Sequence, residues 1–172
     1  MIRPGKKEEI NEIMQCIYDA RSFLKASGST QWNGPLGYPN INTLLDDIDN
    51  NICYVCVRDN VICGVAAFAG IEEEYMQESA NWVIKTDKYT TIHRIAVLDK
   101  YRGQGVAKEI LKFAEEYAKS IGNLSIRIDT HPKNKVVQGL VTKLGYKYCG
   151  EIIYSRIPVE PTRLIYEKVL KA

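Results

Sequence analysis

Apolar residues return at three- and four-residue steps near the start of the chain, where Ile10, Ile13, Met14, Ile17, Ala20 and Leu24 fall on one stripe. That is the period of an amphipathic helix. Glu8 and Glu9 put negative charge where a helix N-terminus favours it, and the spacing predicts a helix over residues 6–26. SGSTQWNGPLGYPN then breaks the pattern with glycines and prolines, and INTLLDDIDNN reads as a shorter second helix. Two β-branched runs follow, NICYVCV and VICGVAAFAG, joined by RDN as a hairpin.

The middle of the chain, IEEEYMQESANWVIKTDK, reads as a continuing strand edge and then an exposed irregular segment, with no firm element of its own. YTTIHRIAVL, residues 89–98, is a strand by its β-branched content. Val106, Ile110, Phe113, Ala114, Tyr117 and Ile121 mark a helix, LSIRIDT another strand, and Val136, Val137, Leu140, Val141 and Leu144 a short helix that stops at Gly145. Strands near 146–155 and 163–169 end the chain. The expected order is two helices, three antiparallel-looking strands, then strand, helix, strand, helix, strand, strand. This is the α/β class, built on a mixed sheet with at least one parallel crossover rather than a doubly wound fold.

At 172 residues, with 45% hydrophobic and 26% charged positions, the chain is long enough to bury one core, and a single domain over 1–172 is expected. The net charge is only +2, and the basic residues are scattered. The electrostatic footprint of a nucleic-acid binder is missing, so no nucleic-acid partner is expected. MIRPGKKEEINEIMQ contains no signal-peptide core, and no apolar run has the length of a membrane span. A cytoplasmic protein with no membrane partner is expected. The five cysteines are odd in number and read as reduced thiols. Cys53 and Cys56 form a CxxC, with Cys63 soon after, but residues three apart on a strand point to opposite faces. They read as packing, and no metal is expected.

Residues 92–130 form a strand–helix–strand unit with YRGQGVA at the turn into the helix. Exposed N–H groups at a helix start, backed by the macrodipole, bind anionic oxygens, and glycines let a ligand approach the backbone. A P-loop requires Gly-Lys-Ser/Thr, whereas Gly105 is followed by Val106 and Ala107. A dinucleotide fold wants a small residue where Lys108 stands, although Asp129 is placed as a ribose ligand of an NAD-dependent oxidoreductase. In the bland alternative, Gly103 and Gly105 merely shape a turn.

YRGQGVA resembles the Arg/Gln-x-x-Gly-x-Gly/Ala loop of the GCN5-related N-acetyltransferases (GNAT), with Arg102, Gly105 and Ala107 at its fixed positions. HRIAV before it and N…LGY after it fit the same family, and the whole element order matches. The resemblance implies a GNAT-type acyl-CoA N-acyltransferase fold and an enzyme that moves an acetyl group from acetyl-coenzyme A to a primary amine of a small molecule or peptide. It implies that Arg102, Gly103, Gln104, Gly105, Val106 and Ala107 hold the pyrophosphate. Ile95, Ala96 and Val97 would lie along the pantetheine arm, with an N–H near Val97 as oxyanion donor. Asn134 would face the same arm, cap the following helix, or do both. Many members carry a tyrosine where this chain has Val141, which puts the usual general acid in doubt, and Tyr146 and Tyr148 are the tyrosines nearby in sequence. A silent acyl-CoA sensor is the rival reading.

A primary amine with an ordinary pKa near 10.4 is only about one part in a thousand neutral at neutral pH, so the site needs a base or a desolvated pocket. His93 suits the task, and strand alternation places Thr91 and Ile95 on its face, so that Thr91 and His93 bridge a water. A packed histidine is the alternative. His131, at a strand end, reads as a loop cap; the resemblance lets Glu72, Glu73 and Glu74 supply a carboxylate base, while a run of three glutamates is ordinarily a solvated face. Trp32 and Tyr38 offer aromatic surface to an acceptor amine, or else anchor their own loop to the core. The C-terminal strands offer an edge for pairing in a homodimer.

Overall fold

The computed structural model describes residues 1–34 and 37–171, so Pro35 and Leu36 of the aromatic loop and the terminal Ala172 lie outside it. In chain order the elements are β1 (Ile2–Pro4), α1 (Ile10–Ala26), α2 (Ile41–Asp49), β2 (Cys53–Arg58), β3 (Val61–Ala69), β4 (Tyr89–Val97), α3 (Val106–Ser120), β5 (Ser125–Thr130), α4 (Lys135–Lys143), β6 (Lys147–Ile153) and β7 (Thr162–Val169). One sheet of seven strands runs in the order β1-β2-β3-β4-β5-β7-β6. Only β4 and β5 pair in parallel, and every other pairing is antiparallel. A doubly wound dinucleotide fold is thereby ruled out. Among the described residues no helix is long and apolar enough to cross a membrane.

The helical stripes do what their periods require. Ile13, Met14, Cys16, Ile17 and Ala20 of α1 pack with Leu44 of α2 on one face of the sheet, against Cys53, Val55, Val65 and Ala96. Val106, Ile110, Leu111, Ala114 and Ala118 of α3 pack with Val141 of α4 on the other, against Cys56, Ala66, Phe68, Ile92, Ile126 and Ile128. Cys53 and Cys56 therefore belong to opposite cores, as strand alternation requires, and all five cysteines are free and buried. Burial pushes the Cys56 thiol up to about 12, so it stays protonated. Gly64 of β3 has a packing reason: a Cβ there would stand 2.7 Å from Val106 Cγ1, so only glycine lets α3 settle this close.

Two expectations need correction. The chain opens with β1, too short and too polar to carry an alternation signal, and its Pro4 is tolerated because β1 is an edge strand. The first helix follows a short 3₁₀ turn at Lys7–Glu9 and begins only at Ile10. Residues 70–88 form no regular strand; they carry a 3₁₀ turn, Glu73–Met76, and meet β6 through a single antiparallel bridge, Ala80↔Gly150. Tyr75, 2% exposed, joins Tyr89, Cys149, Ile152, Tyr154 and Ile165 in a third cluster.

A buried ion pair pins that segment. Arg127 Nε donates to Glu167 at 2.7 Å, with the two side chains 4% and 0% exposed. The guanidinium is sandwiched between Trp82 and Tyr89, at 4.2 and 4.1 Å from the ring centres, and its Nη2 donates to the Ile84 carbonyl. Glu167 in turn accepts from the N–H groups of Val83 and Ile84 and from the Ser125 hydroxyl. The same segment covers the outer edge of β6, where Asn81 N–H donates to the Cys149 carbonyl and the Gln77 amide pairs with both backbone groups of Ile153. β7 is internal, and of the C-terminal strands only β6 lies at the sheet edge, where this segment meets it at Cys149, Gly150 and Ile153.

Glu167→Ala should leave Arg127 charged, buried and unpaired. The expected cost is about 3–5 kcal/mol, lowering the melting temperature by roughly 10 °C in a chain of this size, as thermal unfolding followed by circular dichroism would measure.

Candidate active site

The site begins with an irregularity in β4. Ala96 pairs with Val65 and His93 with Ala67, so β4 spends one residue more than β3 across this interval. The extra residue is accommodated at Arg94, whose φ of 54° lies in the left-handed region. The bulge reverses the alternation beyond it: Ile92, Ile95 and Val97 all pack toward the α3 core, while Ala96 joins the α1 core. The expectation that Ile95 shares a face with His93 is therefore overturned, because a bulge shifts the period of two by one.

Pairing of β4 with β5 ends at Ile92↔Ile128. Beyond it the strands part, and the edge of β4 from His93 to Val97 has no strand beside it on that side. Leu98 N–H donates to the Cys63 carbonyl on the β3 side, so by alternation the N–H of Val97 points into the gap. Arg94, at the bulge, reaches the other way. Its Nε and Nη2 donate to the two oxygens of the buried Asp47 on α2, both at 2.7 Å, and its Nη1 donates to the Tyr38 hydroxyl at 2.8 Å.

At the far end of β4 the glycine loop leads into α3. Gly103 and Gly105 have φ of 77° and 80°, and Gly105 is the N-cap residue. Among the described residues, no hydrogen bond uses the N–H of Gly103 or Gly105, and the first intrahelical bond is donated only by Glu109, to the Gly105 carbonyl. The N–H groups of Val106, Ala107 and Lys108 thus have no intrahelical acceptor. Gln104 N–H is spent on the Tyr101 carbonyl, its side chain on the Lys100 carbonyl, and its own carbonyl on Arg58. Arg102 stacks over Phe23 of α1 at 3.9 Å and pairs with Asp99.

A cleft of about 600 Å³ passes through the split, reaching the α1 side at Ala20, Phe23 and Leu24 and the α4 side at Val137 and Leu140. Of the residues singled out from the sequence, Trp32, Tyr38, His93, Ile95, Ala96, Val97, Arg102, Ala107 and Asn134 line it. Gly103, Gln104 and Gly105 are exposed at its phosphate end, whereas Val106 is 1% exposed and its side chain belongs to the core. Thr91 is fully buried, does not line the cleft, and donates its hydroxyl to the Gly70 carbonyl. Asn134 caps α4 by accepting from Val137 N–H while lining the cleft, so both expected roles fit one position. Trp32 packs against the α1 core and also lines the cleft.

Of the three consecutive glutamates, Glu72 is the one brought to His93. Its Oε2 lies 3.3 Å from His93 Nε2, with both side chains about five-sixths buried in the cleft wall. The contact to His93 holds the Glu72 carboxyl below its ordinary value, and a smaller contribution comes from the Glu74 N–H. Glu73 is exposed and Glu74 binds Gln77, so the triple-Glu run divides into three roles. Nothing in the local pattern marks Glu72, because its partner lies on a strand more than 20 residues away.

Asp129, the supposed ribose ligand, accepts from the hydroxyls of Tyr75 and Tyr154 at 2.6 and 2.7 Å. Burial and then the Asp129 charge push the Tyr154 hydroxyl far above the ordinary tyrosine value, so it stays protonated in the cleft wall. Tyr146 sits in the α3 core and Tyr148 is 56% exposed; neither lines the cleft. Val141 is fully buried beside them. His131 does act as a loop tie, accepting at Nδ1 from Lys133 N–H with Nε2 toward Thr30 and Glu160. Burial lowers its pKa.

Comparison with known proteins agrees with this geometry. The family model described as acetyltransferase (GNAT) family matches residues 17–146. The chain is similar to a GNAT-family acetyltransferase of Streptococcus agalactiae 2603, with 35% identity, 100% of this chain and 96% of that one covered, and a TM-score of 0.87. It is also similar to a GNAT-family acetyltransferase of Listeria monocytogenes 4b F2365, at 20% identity and a TM-score of 0.74 over 99% and 94% of the two chains. A Bacillus subtilis (strain 168) protein, the uncharacterized N-acetyltransferase YesJ, is 22% identical over 148 residues, 86% of this chain and 81% of that protein. The chain belongs to the GNAT acetyltransferase family and is an N-acetyltransferase.

Gly103→Ala and Gly105→Ala meet no atom within 4 Å, so their cost is conformational alone. Each should lose about 1–2 kcal/mol of stability, as urea denaturation would show.

Proposed function

We propose that this chain, acting as one domain over residues 1–172, transfers the acetyl group of acetyl-coenzyme A to an amine by direct attack within the cleft. The observation that carries the reading is a continuous path. It runs from undonated N–H groups at the start of α3, past the unpaired edge of β4, to the His93–Glu72 pair.

The residues present fit the cofactor. N–H groups of Gly103, Gly105, Val106 and Ala107 suit a pyrophosphate, with the α3 dipole behind them and Arg102 alongside. The free edge of β4 at Ile95, Ala96 and Val97 suits an extended amide-bearing arm, bound as a strand would be. Asn134 and the Thr130 hydroxyl border the same stretch, and Thr130 Oγ1 is buried without a partner among the described residues. Acetyl-coenzyme A would supply an activated acetyl thioester.

Val97 N–H, fixed by the strand, donates to negative charge that builds on the acetyl oxygen. His93 Nε2 takes the proton of the attacking amine, Glu72 stabilises the imidazolium so formed, and collapse of the tetrahedral adduct would break the C–S bond and release coenzyme A as its thiolate. Glu72 is thus a positioning and charge-balancing residue for His93. Thr91, its hydroxyl proton given to Gly70, holds the ends of β3 and β4 together beneath this pair. Trp32 and Tyr38 form the wall the acceptor passes.

Calorimetry should show acetyl-coenzyme A binding in the micromolar range or tighter, and Gly105→Glu should abolish it by setting a carboxylate against the phosphates. Absence of binding to the wild type at millimolar ligand would sink the reading. On a working acceptor, His93→Ala should lower kcat/KM by about 10²–10⁴ and remove the acid limb of the rate-versus-pH profile. An unchanged profile excludes His93 as the base.

A further inference from the structure

One buried cation in the cleft wall has no counter-ion among the described residues. Arg163, at the start of β7, is 4% exposed and lines the cleft. Its Nη1 donates to the carbonyls of Glu160 and Thr162, at 2.8 and 2.9 Å. Among the described residues, no hydrogen bond uses Nε or Nη2, and no carboxylate lies within 4.0 Å of the guanidinium. Asp129 is near enough to act on it electrostatically, but spends one oxygen on two tyrosine hydroxyls. Burial opposes the charge, yet an arginine side chain stays protonated in proteins. A buried, charged fork with open donors calls for a planar oxyanion that pairs with it.

The location separates this group from the phosphate end. Leu164 packs toward the α3 core and Ile165 toward the Tyr75 cluster. By alternation Arg163 shares the Ile165 face, across the sheet from the α3 N-terminus. A chain of contacts brings the α1–α2 loop to it: Thr30 donates to the Glu160 carboxylate, and the Glu160 carbonyl accepts from Arg163. The next residue, Gln31, lines the cleft with its Oε1 buried and unpartnered among the described residues, an acceptor waiting for an N–H. Of the four guanidinium groups in the described wall, Arg94 and Arg102 are paired with Asp47 and Asp99, Arg156 is exposed, and Arg163 is both buried and without a carboxylate partner.

We infer that the acceptor is a small amino-carboxylate, whose carboxylate is anchored by the open edge of Arg163 while its amine faces His93 and Glu72. The inference deepens the acetyl-transfer reading and rests on it.

The test measures thiol release from acetyl-coenzyme A with the common L-amino acids, each paired with its own α-carboxamide, and with spermidine. The carboxamide keeps the amine and side chain, removes the charge, and imitates a peptide N-terminus. At least one free acid should exceed its carboxamide in kcat/KM by about tenfold to a hundredfold, the range expected for a charged hydrogen bond in a buried site. Arg163→Gln should bring that ratio close to one, and Arg163→Lys should give an intermediate ratio. Because the ratio is taken within one variant, loss of folded protein cancels. Turnover of carboxamides or spermidine without preference for the free acids overturns the inference and leaves acetyl transfer standing, as does a ratio that Arg163→Gln does not change. Failure of every amine overturns the inference, and failure to bind acetyl-coenzyme A overturns both.

Discussion

The bulge at Arg94 is the constraint on which the rest of the site depends. A regular β4 would keep Ile92, Arg94 and Ala96 on one face and send His93, Ile95 and Val97 to the other. With one extra residue, Ile92, Ile95 and Val97 share the α3 core while Ala96 packs against α1. The same residue takes a positive φ, which costs a non-glycine side chain about 1 kcal/mol or more. What offsets it is visible: a bidentate pair with buried Asp47 and a bond to Tyr38. The strain in β4 is thereby tied to the placement of α2 and of the acceptor wall.

Two long connections that carry no regular strand are held by charges from distant parts of the chain. Residues 70–88 are fixed by the Arg127–Glu167 pair and its aromatic sandwich, and so deliver Glu72 to His93 and cover the edge of β6. The α1–α2 loop is fixed at Thr30 through Glu160 and at Tyr38 through Arg94. Buried ion pairs of this kind gain little net stability. Their value here is that each has one satisfactory arrangement, which a loop of small and polar residues would not otherwise find.

How much was legible in the sequence follows from the range of the interactions. The helix over 106–120, the strand–helix–strand unit and the YRGQGVA loop rest on local periods and on glycine φ and appear where the pattern predicts them, whereas the first helix, expected over 6–26, begins at Ile10 after a 3₁₀ turn. β1 was missed because three residues cannot display a period. The face of Ile95 was misassigned because a bulge leaves no mark on a β-branched run. The run of three glutamates does not say which of them can serve as a base, because Glu72 is singled out only by His93 on a strand distant in sequence. Arg163 and Asp129 carry no local signature, since their burial is set by β7 entering the sheet between β5 and β6.

The two ends of the cleft therefore differ in kind. At the glycine-loop end the groups presented to the cleft are backbone N–H donors, set by a helix start and by glycines in a conformation that side chains do not favour. Side chains there are nearly irrelevant: Val106 points into the core and Gln104 bonds its own loop. At the other end the polar and aromatic lining comes from side chains on separate segments, among them Trp32, Glu72, His93, Asp129 and Arg163. A motif can report the first end because its information is contiguous. The second is a property of the folded sheet, where a buried charge such as that of Arg163 has no carboxylate partner among the described residues.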